Sequence, residues 1–237
     1  MTEQEAREII AKFHGLYSGG LAQMRRDAGQ PDITAMPPWT EVYWMGRQVV
    51  KCPMDLWVYQ EIIIETLPEL IVETGTSGGG SAFFFATIYD LLGLLTQRVI
   101  PGHIITVDTI TYPLLCLPHS RITYLVGDSL DPEIIGTIRG RAAGRRTMLS
   151  LDSLHTHAHV AAELLAYADL TTPGCYCVVE DTGYSDDRSD GVYRGDPDWC
   201  SRAAAEFVLE HPDFEVDLSR ERHLLTSNHR GWLKRAR

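Results

Sequence analysis

The sequence predicts an α/β fold: a mostly parallel sheet with helices on both faces. Three observations predict it. Near-continuous apolar runs of strand length recur with helix-length segments between them, the pattern of parallel strands covered on both sides. The stretch Leu70-Ile-Val-Glu-Thr-Gly-Thr-Ser-Gly-Gly-Gly-Ser81 reads as strand, glycine turn and helix start, the first unit of such a sheet. Finally, strand after strand ends in an acid: Glu73, Asp108, Asp128 just beyond a strand, Asp152, then Glu180-Asp181. In a parallel sheet these ends lie along one edge, where ligands bind.

The elements follow in order. Ala6, Ile9, Ile10, Phe13 and Leu16 form a helical stripe over Glu3–Tyr17, stopped by Ser18-Gly-Gly20. A polar segment through Pro31, Pro37 and Pro38 holds little regular structure, and Trp44–Pro53 reads as extended. Asp55 is a good N-cap for a helix over Leu56–Thr66. The strand Leu70–Glu73, its glycine turn and a helix over Ala82–Leu92, closed by Gly93, come next. Strands are expected at His103–Asp108, Ile122–Gly127, Thr147–Asp152 and Cys175–Asp181, with helices over Pro132–Arg139 and Thr156–Tyr167. After a polar loop, Thr182–Asp196, a helix spans Trp199–Glu210. The strands Phe214–Leu218 and His223–Ser227, joined at Ser219–Arg222, then form a C-terminal antiparallel hairpin.

Length and charge bound the function. The 237 residues fit one α/β domain with a terminal extension, and 44% hydrophobic content is ordinary for a globular chain. A net charge of −11 argues against nucleic acid and anionic membrane as partners. The basic cluster Arg139, Arg141, Arg145 and Arg146 falls in a loop before a strand and reads as a solvated face. Five cysteines without a C-x-x-C pair, two of them (Cys175 and Cys177) on one face of a strand, read as free thiols of a reducing cytoplasm. The charged first residues do not read as a signal peptide, and no apolar run approaches membrane-spanning length.

The glycine turn fits neither a dinucleotide fingerprint, because Ser77 replaces the middle glycine, nor a P-loop, because no Gly-Lys-Ser/Thr follows. Glu73 at the strand end would repel a phosphate and suits a cationic or hydroxyl-bearing ligand. A row of carboxylates on one edge calls for a positive charge between them. Asp108 matches the acid that holds a ribose at the end of a second strand. Asp152, Glu180 and Asp181 make an oxygen-only set suited to Mg²⁺ or Mn²⁺. His155, in Asp152-Ser-Leu-His155, is placed to take a proton from a substrate hydroxyl. His157 and His159 read as surface residues. A zinc pair His155–His159 lacks the Glu that should follow the first histidine, since Thr156 stands there.

Glu73-Thr-Gly-Thr-Ser-Gly-Gly79, Val107-Asp108, Gly127-Asp-Ser129, Leu151-Asp-Ser-Leu-His155 and Val179-Glu-Asp-Thr182 together resemble class I S-adenosylmethionine-dependent methyltransferases. Lys51-Cys-Pro-Met-Asp-Leu-Trp-Val-Tyr-Gln-Glu61, Trp44-Met-Gly46 and Gly231-Trp-Leu-Lys-Arg235 narrow the resemblance to the cephalosporin hydroxylase / rhamnosyl O-methyltransferase family and its relatives that methylate sugars of macrolides and enediynes. That resemblance implies a Rossmann-like, seven-stranded sheet over residues 51–237 that binds S-adenosylmethionine, with residues 1–50 as an N-terminal helix and a lid or oligomerisation segment. It implies that Glu73, Gly75, Ser77 and Ser81 line the methionine end of the cofactor, Asp108 the ribose, and Asp128 and Ser129 the adenine. Asp152, Glu180 and Asp181 would hold Mg²⁺, with Asp152 also near the cofactor, and His155 would be the base. It implies O-methylation of a sugar or glycosylated natural product, as in antibiotic biosynthesis, by a cytoplasmic homo-oligomer that releases S-adenosylhomocysteine. An accessory cofactor-binding subunit working with a partner protein is the alternative. No iron site of the 2-His-1-carboxylate kind is evident.

Overall fold

The computed structural model describes residue 9 and residues 38–110, 116–183, 199–223 and 225–236. All of the expected helix Glu3–Tyr17 but Ile9, most of the segment up to Thr40 and nearly all of the loop Thr182–Asp196 lie outside the described residues.

After a 3-10 turn at Pro38–Glu41, a small hairpin pairs β1 (Tyr43–Trp44) with β2 (Arg47–Gln48). This is where the sequence reading expected one extended segment. Helix α1 (Pro53–Thr66) follows, then β3 (Leu70–Thr74), α2 (Gly80–Thr96), β4 (His103–Asp108), β5 (Ile122–Val126) and α3 (Pro132–Ala142). The chain continues through β6 (Thr147–Leu151), α4 (His157–Tyr167), β7 (Tyr176–Val179), α5 (Cys200–Glu210), β8 (Phe214–Val216) and β9 (Trp232–Arg235). The large sheet has seven strands in the order β5-β4-β3-β6-β7-β9-β8. Strands β3 to β7 pair in parallel, and β9 is antiparallel to both its neighbours. The order reverses between β3 and β6, so the crevice for a ligand opens there, at the strands' carboxyl ends.

Strand alternation builds one core on each face of the sheet. Ile71, Ile104, Met148, Val178 and Trp232 pack under α1 and α2, against Tyr59, Ile62, Phe85 and Tyr89. Leu70, Val72, Ile105, Leu149, Cys177 and Leu233 pack under α3, α4 and α5, against Ile138, Leu164 and Phe207. Cys175 and Cys177 therefore do not share a face as expected: Cys175 belongs to the first core and Cys177 to the second. None of the five cysteines, all among the described residues, forms a disulfide. Among the described residues no helix is long and apolar enough to cross a membrane.

Several boundaries differ from the sequence reading, each for a local reason. Helix α1 begins at Pro53, which suits a first helical position, with Cys52 as its N-cap. Asp55 is thus inside the first turn and buried, and its Oδ2 accepts the backbone N–H of Ser227 at 2.7 Å. Gly93 does not close α2. Gln97, with φ 54°, takes the left-handed cap and donates its N–H to the Gly93 carbonyl. The second strand of the C-terminal pair is Trp232–Arg235, not His223–Ser227. Ser227 of that expected strand donates its N–H to Asp55 and accepts the Gly183 N–H instead. The arginine cluster is solvated as expected at Arg139, Arg141 and Arg145, which are exposed, but it is not all loop. Arg139 and Arg141 end α3, Arg139 pairs with Asp169 at 2.5 Å, and Arg146 donates to the Thr66 carbonyl.

Gly75 fixes the crevice. Its φ is 86°, and a Cβ built there would overlap the carbonyl oxygen of Asp152. This close approach seats the end of β3 directly against the end of β6, where Asp152 N donates to the Thr74 carbonyl at 3.0 Å. Gly75→Ala is expected to destabilise the fold by at least about 2 kcal/mol, from backbone strain and overlap together. Urea unfolding checks this, and an unchanged midpoint would show that the two strand ends can part freely.

Candidate active site and metal centre

A cavity of about 610 Å³ lies over the carboxyl ends of the parallel strands. One half is built by the glycine turn and the ends of β4 and β5. Gly75, Ser77, Asp108, Asp128 and Ser129 line it. Ser77, with φ 46°, aims its backbone N–H at Asp108 Oδ2, 2.8 Å away. Asp128 caps the turn after β5 by accepting the N–H of Leu130. Ser129 donates to Glu163 at 2.6 Å, and Glu163 also accepts Ser153 at 2.8 Å. His159 reaches the same carboxylate at 3.4 Å and lines the cavity, so it is not the plain surface residue its spacing suggested. Its imidazole is raised above the ordinary value, first by the hydrogen bond to Glu163. His157 does lie outward, on Glu206.

Glu73 and Ser81 are placed differently from the sequence reading. Both are buried and neither lines the cavity. The cause is strand parity. Glu73 shares the side of β3 that carries Ile71, which faces α1 and α2. There it accepts hydrogen bonds from Ser81 and from Thr106, the latter at 2.7 Å. Burial pushes its carboxyl up to about 7, against the pull of Lys51.

The other half of the cavity is acidic. Asp152, Glu180, Asp181 and His155 line it, as do Lys51, Cys52 and Ser227, which the sequence reading did not assign to a site. Lys51 is the largest omission. Its Nζ lies 2.7 Å from Asp152 Oδ2 and 3.0 Å from Glu180 Oε1, with the side chain 4% exposed. One signal was available: a lone lysine inside Val49-Val50-Lys51-Cys52-Pro53, an apolar run leading into a helix. Burial alone would lower the ammonium's pKa. Asp152, Glu180 and Glu73 outweigh that and hold it above its ordinary value.

Glu180 shares the parity of Val178 and points the same way as Glu73. Its Oε1 accepts Tyr59 and, at 3.1 Å, Ser150, besides Lys51. Burial would raise this carboxyl, but Lys51 and Tyr59 hold it below the usual range. Asp181 escapes the strand's alternation through a left-handed backbone, φ 58°. Asn228 Oδ1 accepts its N–H at 3.0 Å, and the Trp199 indole donates to its carbonyl at 2.9 Å. Such strain in a residue other than glycine persists only where its surroundings impose it.

The expected metal trio was Asp152, Glu180 and Asp181. Among the described residues, the group whose ligand atoms fall within 4.8 Å of one another is Asp152, His155 and Asp181. His155 Nε2 lies 3.3 Å from Asp181 Oδ2 and 3.8 Å from Asp152 Oδ1. The ring also lies beside Trp199, with centroids 6.0 Å apart, and the His155 carbonyl accepts the Cys200 N–H at 3.0 Å. The oxygens of Asp152 are thus divided, Oδ2 toward Lys51 and Oδ1 toward His155. Asp181 is pushed well above the ordinary carboxyl value, by desolvation first and then by the charges of Asp152 and Glu180. One ammonium does not balance three carboxylates, so the centre has the donors and the charge to accept a hard divalent cation.

A family model described as rhamnosyl O-methyltransferase/CmcI matches residues 37–236. The rhamnosyl O-methyltransferase of Mycobacterium tuberculosis (strain ATCC 25618 / H37Rv) is 35% identical over 181 residues, 73% of this chain and 64% of that protein. The Mycobacterium leprae (strain TN) protein of the same description is 33% identical over 190 residues, 78% of each. The chain thus matches just under two thirds of the length of the M. tuberculosis relative. Among solved structures, CmcI in an apo form superimposes with a TM-score of 0.62 at 24% identity, over 90% of this chain and 83% of that one. A CmcI structure with Mg and SAM gives 0.63 at 23%, over 89% and 83%. These two likenesses show the fold. The chain belongs to the rhamnosyl O-methyltransferase/CmcI family.

Glu73 yields a stability prediction. Its folded pKa of about 7 stands above the ordinary carboxyl value of 4.5. A raised carboxyl contributes stability that is complete below about pH 4.5 and is lost as pH rises through about 7. Glu73→Gln should flatten the pH dependence of stability between pH 5 and 8, by no more than about 1.4 kcal/mol per pH unit. Urea titrations of both proteins at pH 5 and 8 measure it. Identical slopes would mean that Glu73 does not titrate there.

Proposed function

We propose that the chain is an S-adenosylmethionine-dependent O-methyltransferase whose acceptor is a hydroxyl of a rhamnosyl-type sugar or its glycoside, assisted by Mg²⁺. The observation that carries this reading is one continuous cavity. It joins a half suited to a nucleoside, at Gly75, Ser77, Asp108 and Asp128, to an acidic half holding His155. The family relatives described as rhamnosyl O-methyltransferases, and the CmcI structure that holds Mg and SAM, support it.

Each residue then has a task. Asp108 holds the ribose hydroxyls, and the backbone of Gly75 and Ser77 lets the methionine part approach the turn. Asp128 and Ser129 face the adenine. Asp152 and Asp181 would hold Mg²⁺ through their carboxylate oxygens, with Glu180 beside them. His155 lies within reach of the same space, but a hard ion prefers oxygen to imidazole, which leaves His155 as the base. When bound, Mg²⁺ polarises the acceptor hydroxyl and makes its proton easier to remove.

The transfer balances simply. His155 Nε2 takes the acceptor's hydroxyl proton. The oxygen's electron pair forms a bond to the sulfonium methyl carbon, the carbon–sulfur bond breaks, and its pair stays on sulfur as S-adenosylhomocysteine forms. The imidazolium returns its proton to water. Cavity walls that hold donor and acceptor in line supply much of the acceleration.

Methyl transfer from labelled S-adenosylmethionine to a panel of rhamnosides is the direct test. His155→Ala is expected to lose about 100-fold or more in kcat, in line with the removal of a general base, while S-adenosylhomocysteine affinity changes little. A wild-type rate in that variant removes His155 as the base. Chelation should abolish transfer and Mg²⁺ restore it. Full activity in chelator would remove the metal's role, and cofactor binding with no transfer to any acceptor would favour an accessory subunit.

A further inference from the structure

We propose that Lys51 is the resident cation of the acidic centre, a positioning residue that holds Asp152 and Glu180 together from one side and thereby sets how tightly the open side takes a divalent ion. This rests on the metal-assisted reading above.

The geometry divides the centre in two. On the inner side, Asp152 Oδ2 and Glu180 Oε1 converge on the Lys51 ammonium at 2.7 and 3.0 Å, and Tyr59 and Ser150 add hydrogen bonds to the same Glu180 oxygen. On the outer side, Asp152 Oδ1, Asp181 Oδ2 and His155 Nε2 face one another. The two sides share Asp152. An ion on the outer side therefore meets a carboxylate already paired with a fixed positive charge. Three carboxylates and one ammonium leave a balance that one divalent ion neutralises. Without the ammonium the centre would be one charge more negative overall, and its carboxylates would repel one another unscreened.

The residue type fits the task. An ammonium is a compact point charge with three donors, so it can bridge carboxylates from two different strands, whereas a planar guanidinium favours one carboxylate bidentately. The backbone fits as well. Lys51 lies just before Pro53, where α1 begins, and its N–H is tied to the Val49 carbonyl at 2.8 Å. The side chain is thus held against the ends of β6 and β7 by main-chain structure rather than by the ion pair alone. An ion pair serving only the fold would alter melting but not metal affinity, and that difference makes the role testable.

The test compares wild type, Lys51→Met and Lys51→Arg as full chains. Mn²⁺ binding is measured by the electron paramagnetic resonance of free Mn²⁺, and thermal melting in EDTA and in Mg²⁺. Lys51→Met is expected to bind Mn²⁺ at least tenfold more tightly than wild type, to melt lower in EDTA and to recover part of that loss in Mg²⁺. Lys51→Arg, which keeps the charge, should stay within about threefold of the wild-type affinity. Folded Lys51→Met with equal or weaker Mn²⁺ binding overturns the role of Lys51 while leaving the metal reading intact. No Mn²⁺ binding by any of the three overturns the metal reading itself. Should Lys51→Met fail to fold in EDTA, refolding with Mn²⁺ reads the same property. Recovery supports the proposal, and failure to recover overturns it.

Discussion

The ion pair of Lys51 with Asp152 and Glu180 is the interaction on which the rest of the site depends. Carboxylates brought to one edge of a buried sheet repel one another, and burying a charge without a partner is costly. One ammonium, 2.7 and 3.0 Å from two of them, offsets part of that cost. The remainder shows in Asp181, whose carboxyl is pushed well above its usual value. Stability and chemistry are joined here, because the imbalance that strains the fold is the same charge that invites a cation.

Backbone geometry decides which acids take part. Parity turns Glu73 and Glu180 toward α1 and α2, where Ser81, Thr106, Tyr59 and Ser150 supply hydroxyl donors. Asp181 would face the opposite way from Glu180, but its left-handed backbone, clamped by Asn228 and Trp199, brings it back to His155. Gly75 presses the ends of β3 and β6 together, so the glycine turn and the acidic centre border one cavity. The C-terminal segment contributes to the same point. Ser227 is anchored on Asp55, and Asn228 holds Asp181, which is why residues that read as a strand are recruited to the site instead.

Most of the fold was legible in the chain. The parallel strands from β3 to β7 appear within two residues of their expected bounds, because continuous apolar runs have no other stable place than a sheet covered on both faces. The acids at their ends were legible too, and with them Asp108, Asp128, Asp152, His155, Glu180 and Asp181 around the cavity. What misled was chemistry that looks local but is satisfied at long range. Asp55 reads as a helix cap yet serves Ser227, and Gly93 reads as a helix end although Gln97 takes the cap.

Amino-acid order alone thus settled the sheet, its ligand-binding edge and the acidic character of that edge, since period and residue type act over a few neighbours. Only the tertiary structure decided which carboxylates face the cavity and which are sealed beneath it. It alone brought Lys51 to Asp152 across 101 positions and His159 to Ser129 across 30. The physical reason is that a carboxylate's role is set by the charges and donors that surround it in space, and these come from β-strand parity, crossover connections and left-handed residues such as Asp181 rather than from sequence neighbours.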